Sequence, residues 1–337
     1  MYRDVWVLGE ERNGKIHPVS YELLAWGRGL ADKLEVNLSS VVLGSHVEEQ
    51  AQGLISRGAD KVYVVNNEEL GVFRVDPYTR IIAALIDKYK PEILLASATT
   101  MGRTLMPVLA AKIHTGLTAD CTELDADISE RLLLQTRPAI GGNVMATIKT
   151  PEHRPQMATV RPKSKKPLPL DTSRRGEIIE EVFDDSFFES RVKRLAFERD
   201  ESAEAPIQDA DVIVTGGRGL KEKRNFDLVF ELAGKLKGCV GASRPAVDQG
   251  WIPYSHQVGL SGKSVTPKLY VALGVSGVAA HLAGMSSAEI IVAVNKDPSA
   301  NIFKVADFGI VGDLFEVIPV LLEKIDQYSK CESSRGN

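Results

Sequence analysis

Short apolar runs alternate with helically spaced ones along most of the chain. Strands are predicted at "DVWVL" (4–8), "SVVLG" (40–44), "KVYVV" (61–65) and "EILLASA" (92–98), with helices over 18–34, 47–57, 77–89 and, in "GRTLMPVLAAKI", 102–113. Such regular succession predicts βαβ units and a largely parallel sheet covered on both faces. From 117 to 162 the texture shifts to "LLLQTRPAI", "NVMATI" and "QMATVRP", separated by Gly, Asn and Pro, and antiparallel strands extending the sheet are expected. Charge dominates 172–206, where one or two short amphipathic elements precede an acidic stretch ending in Pro206; residues 200–206 read as a linker. A second α/β rhythm follows: "ADVIVTGGRG" (210–219), a helix near 225–237, "LYVALGVSG" (269–277), a short helix, "IIVAVNKD" (290–297) and a last helix near 313–328. The expected class is α/β with two doubly wound domains: residues 1–199, with a sheet extended by antiparallel strands, and residues 207–329, a parallel-sheet domain. The polar tail 330–337 should fray.

Composition narrows the function classes. The 337 residues are 44% hydrophobic, enough for a core in each of two domains. No stretch approaches the roughly 18 uninterrupted apolar residues of a membrane span, so membrane insertion is not expected. Net charge is −4 with both signs dispersed, which leaves no broad basic face for nucleic acid. The run "RPKSKKP" (161–167) reads as a solvated loop, and "MYRDVWVLGEERNGK" reads directly as a strand rather than a targeting peptide, pointing to the cytoplasm. Cys121, Cys239 and Cys331 lack the paired spacing of a metal or cluster site.

Three glycine-containing turns follow strands in the second half, where open parallel sheets bind ligands. In "VIVTGGRG", Gly216, Gly217 and Gly219 allow close backbone approach and Arg218 offers a fork of donors; a tight βα turn with an exposed arginine is the plainer alternative. In "LYVALGVSGVAAHLAGM" a strand runs through Ser276 and Gly277 into a helix, whose start favours an anion, with His281 about one turn beyond. A nucleophile elbow needs glycine where Val278 stands. In the third, strands deliver Asn295 and, at the final helix, Asp313, suited to a ribose or adenine edge or simply to capping that helix. Between the first and second turns lies the long "VGASRPAVDQGWIPYSHQVGLSGKS", with Ser243, Arg244, Gln257 and Ser261; a connection of this length is usually functional. Its "GKS" is not a P-loop, because Gln257 occupies the required glycine position and Pro267 would interrupt the following helix.

Together "GGRG", "VGASRPAVDQGW", "QVGLSGK", "LGVSGVAAHLAGM", "IVAVNKDP" and "ADFGIVGDLFEVIP" resemble the FAD-binding domain of the electron-transfer flavoprotein α subunit. The first half is similar to that family through "ASATTMGRTLMPVLAAKIHTGLTADCTEL", "TRPAIGGNVMATI" and "HRPQMATVRP". The resemblance implies FAD, a separate β subunit contacted by the N-terminal domain, and an acyl-CoA dehydrogenase-type redox partner. By matching position, Arg218, Ser243, Ser276 and Asn295 would surround the pyrophosphate and ribose, with Asp313 and Leu314 near the adenosine. Gln257, Val258, Gly259, Leu260 and Ser261 would line the flavin, and Gly277, Val278, Ala279, Ala280 and His281 would complete the site. The chain departs from the family pattern at Ser261, where many relatives carry threonine, and at Ala280, where many carry glutamine. Arg244 and His281 are the positive side chains expected to favour an electron-rich flavin. "VWVLGEERNGKIHPVSYELL" looks most like flavoproteins of anaerobic bacteria, several of which take part in electron bifurcation, with the second flavin and the NADH site mainly on the β subunit.

Two other readings stay open. A nicotinamide-dependent dehydrogenase would need a Gly-x-Gly-x-x-Gly after the first strand, for which "VLGEERNGK" is a poor substitute. A nucleotide-binding regulatory module is compatible with the first half taken alone.

Overall fold

The computed structural model describes residues 2–12, 14–138, 144–196 and 207–335, with side chains as far as residue 328. The expected linker, 200–206, lies outside the described residues. The chain divides into two units, Met1–Phe197 and Glu198–Asn337.

The first unit runs β1 (Val5–Gly9), β2 (Glu11–Arg12), β3 (Lys15–Ile16), α1 (Val19–Leu34), β4 (Leu38–Gly44), α2 (Glu48–Ile55), β5 (Lys61–Asn66), α3 (Val75–Tyr89), β6 (Ile93–Ser97) and α4 (Thr100–Lys112). It continues with β7 (Leu117–Cys121), β8 (Glu123–Asp127), β9 (Leu132–Pro138), β10 (Met145–Ile148), β11 (Gln156–Val160) and β12 (Glu177–Glu180). Among the described residues seven strands form one sheet in the order β12-β5-β4-β1-β6-β11-β7, parallel throughout. β1, β4, β6 and β11 are buried along their whole length, which is why β1 and β6 read as nearly continuous apolar runs, while β4 and β11 also bury Ser39, Ser40, Gln156 and Thr159. Two clusters fill the unit, one with α1 and α2 around Leu23, Leu30 and Leu54, the other with α3 and α4 around Ile81, Leu85 and Leu105.

One expectation needs correction. The strands after 117 do not simply extend the main sheet with antiparallel neighbours. β8, β9 and β10 form a separate antiparallel sheet, while β11 sits inside the parallel sheet between β6 and β7. The placement suits its sequence, because "QMATV" is buried on both faces and the Gln156 side chain is satisfied by the Leu133 N–H at 2.7 Å and the Arg131 carbonyl at 3.1 Å. The charged stretch after 172, expected to hold one or two short amphipathic elements, supplies β12, an edge strand parallel to β5.

The second unit contains β13 (Val212–Gly216), α5 (Phe226–Lys235), β14 (Cys239–Ala242), α6 (Arg244–Asp248), β15 (Leu269–Leu273), α7 (Ala279–Leu282), β16 (Ile290–Asn295), β17 (Phe308–Val311) and α8 (Leu314–Arg335). α8 continues past residue 328 into the tail expected to fray. Its five described strands are parallel, in the order β14-β13-β15-β16-β17. Alternation along β15 divides the unit: Val271 and Leu273 face a cluster with α5 and α8, while Tyr270 and Ala272 face one closed by Val258, Val275, Met285 and Ile302. Strand order reverses between β13 and β15, so the carboxyl ends of these strands flank a topological switch point, where open α/β sheets bind ligands. No described helix is long and apolar enough to cross a membrane.

Candidate cofactor-binding cleft

Two turns meet at that switch point. The Gly217 N–H donates to the Leu273 carbonyl at 2.8 Å and the Gly219 N–H to the Gly274 carbonyl at 3.0 Å. A third turn is tied in by Asn295, whose Nδ2 donates to the Val275 carbonyl at 2.8 Å while its Oδ1 accepts from the Asp297 N–H at 3.0 Å. Gly277 has φ +76, and a Cβ there would lie 2.3 Å from the Ile302 nitrogen. This backbone path therefore requires glycine.

Above the turns opens a cleft of about 620 Å³, within the size range of small-molecule sites. Of the residues singled out in the sequence, Arg218, Ser243, Arg244, Val258, Gly259, Ser261, Ser276, Gly277, Val278, Ala280, His281 and Asn295 are brought together on its walls. Gln257, Leu260, Ala279, Asp313 and Leu314 stand outside them. For Gln257, Leu260, Asp313 and Leu314 the reason is visible.

Gln257 is only 3% exposed and lies beneath the loop, donating from Nε2 to Ser261 Oγ at 3.1 Å. That loop is closed by the Lys263 backbone, whose N–H reaches the Gln257 carbonyl at 2.7 Å and whose carbonyl accepts from Gly259 at 3.1 Å. It is fastened to α7 by the Leu260 N–H on the Ala280 carbonyl at 2.7 Å, and the Leu260 side chain points outward, 76% exposed. "GKS" thus shapes a hairpin-like wall rather than a phosphate loop. Asp313 caps α8, its Oδ1 accepting from the Phe315 N–H at 2.9 Å, and pairs with Lys296 at 2.6 Å, which holds its carboxyl below the ordinary range. Leu314 is buried in the α5–α8 cluster, under Gly274.

Sequence reading missed two acids on the walls, Asp248 and Asp297. Asp248 was legible as the residue four beyond Arg244; the two form an ion pair at 3.3 Å with both side chains largely exposed. Asp297 gave no such signal, since its carboxylate serves its own turn, accepting from the Ser299 N–H at 2.9 Å and hydroxyl at 2.6 Å.

Two buried polar atoms on the walls have no partner, Ser243 Oγ and His281 Nδ1. Ser243 precedes α6 yet makes no side-chain cap, so its hydroxyl is left for the cleft. A buried donor or acceptor without a partner costs about 1–3 kcal/mol, a cost that a polar ligand at this position removes. Together with the glycine turns and Arg218, they fit an elongated, polar, anionic cofactor such as a dinucleotide. His281 corrects an expectation. Burial pushes its pKa down to about 4, so at neutral pH the ring is uncharged, and Arg244 and Arg218 are the cations on these walls.

The corresponding switch point of the first unit lies between β1 and β6. There Glu10, 5% exposed, accepts from the Thr99 hydroxyl at 2.6 Å and pairs with Arg12 at 2.7 Å. A carboxylate in that crevice opposes a phosphate, which disfavours the nucleotide-binding regulatory reading of the first half.

Residues 5–186 match the family described as "Electron transfer flavoprotein domain", and residues 206–286 match "Electron transfer flavoprotein FAD-binding domain". An electron transfer flavoprotein subunit alpha of Thermoanaerobacterium thermosaccharolyticum is 51% identical over 96% of this chain and 98% of its own length. One from Clostridium acetobutylicum is 46% identical over 96% and 97%. The acryloyl-CoA reductase electron transfer subunit beta of Anaerotignum propionicum is 39% identical over 97% and 96%. The chain belongs to the electron transfer flavoprotein family as an α subunit, and FAD is its cofactor.

Proposed function

We propose that the chain holds FAD along the cleft at the β13–β15 switch point, pairs with a β subunit in the cytoplasm, and passes electrons between an acyl-CoA dehydrogenase-type partner and a second redox partner. FAD, when bound, supplies the electron-accepting and electron-releasing chemistry; this chain binds, orients and shields it. Arg218, with the glycine turns and Ser276, offers donors to the pyrophosphate, and Asn295 holds two of those turns in register. Toward the ring, Ser261 Oγ accepts from Gln257 Nε2, which leaves its own proton to be donated. Val258, Gly259 and Val278 present apolar surface that excludes water, and the Arg244 guanidinium favours negative charge on the reduced ring.

The convergence of Ser243 Oγ and His281 Nδ1, both buried and unpartnered, on one cleft beside Arg218 and Arg244 carries this reading. The Anaerotignum relative, named as an electron transfer subunit of acryloyl-CoA reductase, supports the choice of redox partner. Purifying the chain co-expressed with a β subunit tests the proposal: a yellow complex releasing FAD on denaturation is expected. A colourless protein that binds NADH by itself would instead establish the dehydrogenase alternative. Membership in a bifurcating system is the finer form of the proposal, and a second flavin in the purified complex is its expected sign.

A further inference from the structure

His281 belongs to α7, and its backbone N–H is bonded to the Val278 carbonyl at 2.8 Å, so its position is fixed by the turn that leads out of β15. Its side chain is 5% exposed. One ring nitrogen, Nε2, lies 3.0 Å from the hydroxyl of Tyr270, a β15 residue with 0% exposure that approaches from within the sheet. The other, Nδ1, makes no hydrogen bond of good geometry, although the Val258 backbone carbonyl stands close to the ring, and His281 lines the cleft.

The direction of the Tyr270 bond decides what Nδ1 can do. A neutral imidazole carries one N–H and one bare nitrogen, and the bond made by one nitrogen sets the state of the other. Phenol is the stronger donor and imidazole nitrogen the stronger acceptor, so the favoured arrangement is Tyr O–H to Nε2. The proton of His281 then rests on Nδ1.

We propose that Tyr270 is a positioning residue: it holds His281 as the Nδ1–H tautomer, so that the cleft receives a neutral, fixed hydrogen-bond donor from beneath rather than a second cation. The identity of the acceptor as FAD rests on the function proposed above; the tautomer does not. Such a donor stabilises an electron-rich acceptor group without a counter-charge and without reorganising when that group gains electrons. It also divides labour on the walls, with the exposed Arg244 supplying the charge and the buried His281 a fixed dipole.

The test labels histidine with ¹⁵N in the full chain co-expressed with its β subunit, and reads the ring before and after FAD is removed. The chain has six histidines, so the His281 signal is identified as the one missing in His281→Asn. At neutral pH that signal should show a protonated Nδ1 and a bare Nε2, and in Tyr270→Phe it should shift toward a tautomer average while the reduction potential of bound FAD falls. His281→Asn places an amide nitrogen where Nδ1 stood and should keep a potential nearer the unsubstituted protein than His281→Ala does. A doubly protonated ring or an Nε2–H ring in the unsubstituted protein overturns the proposal, as does a signal unmoved in Tyr270→Phe. Should Tyr270→Phe fail to fold, the spectrum of the unsubstituted chain and the Asn-against-Ala comparison still decide. If no FAD is found in the complex, the functional reading fails, while the spectrum of the FAD-free chain independently supports or refutes the tautomer.

Discussion

Gly219 and Gly274 touch backbone to backbone: a Cβ added to Gly219 would lie 2.7 Å from the Gly274 Cα, and one added to Gly274 would lie 2.8 Å from the Gly219 Cα. Neither neighbour is a flexible side chain that can yield. Gly274 also sits at φ +64, where an L side chain adds backbone strain. Gly274→Ala should therefore destabilise the chain by on the order of 2 kcal/mol or more and reduce the FAD recovered per protein. Urea unfolding and the flavin-to-protein absorbance ratio measure the two effects; an unchanged ratio would show that the contact does not shape the cofactor site.

Arg244 and Asp248 form an ion pair with 66% and 59% of their side chains exposed, so its contribution to stability is small, about 0–1 kcal/mol. Arg244→Ala should leave the thermal midpoint nearly unchanged yet lower the reduction potential of bound FAD, since a positive charge beside the ring is lost. Asp248→Asn should move the potential the opposite way by freeing the guanidinium. Redox titration of both variants checks the signs, and equal potentials would remove this pair from the flavin's surroundings.

His281 also sets an acid limit on stability. Burial lowers its pKa from 6.5 to about 4, so the unfolded chain binds a proton that the folded chain refuses. The resulting stabilisation is fully present above about 6.5 and is lost as pH falls from there through about 4, a loss on the order of 3 kcal/mol in total. His281→Asn should flatten the dependence of the urea midpoint on pH across that window. A midpoint that falls equally steeply in the variant would assign the acid sensitivity to other groups.

In the first unit Asp60 stitches the start of β4 to the segment before β12. Its carboxylate accepts from the Leu38 N–H at 2.8 Å, Arg28 at 2.7 Å and Arg174 at 2.6 Å. Burial alone would raise its pKa, but these bonds and the two guanidinium charges outweigh it and hold the carboxyl below its ordinary 3.8. A depressed acid contributes stability above its unfolded value and loses it as pH falls through the folded one. Asp60→Asn should destabilise the chain by about 2 kcal/mol at pH 7, with the difference from the unsubstituted protein shrinking below pH 3.8. Denaturant midpoints at several acidic pH values test this.

The strands at the centre of both sheets were legible because burial on two faces demands continuous apolar sequence, as in "VWVLG" and "LYVAL". β14 was not, since "CVGA" is four small residues without a usable period, and it and α6 were absorbed into a long loop. The interior place of β11 depends on pairing with β6, more than 50 residues earlier, which no local pattern encodes. At the site, the glycine turns and their polar neighbours were readable because backbone crowding restricts those positions. Asp313 and Leu314 were placed near the cofactor by matching position in the family pattern, while local capping and core packing engage their side chains in this fold. The neutral state of His281 required knowing that the fold buries its ring.

Glu10 gives the molecule an asymmetry. Sealed at the end of β1 by Thr99 and Arg12, it equips the first sheet with an internal counter-anion, so two sheets of kindred topology do not make two equivalent berths for a dinucleotide. Among the described residues, the switch point of the second sheet therefore joins glycine turns to arginine donors, while that of the first presents an acid instead.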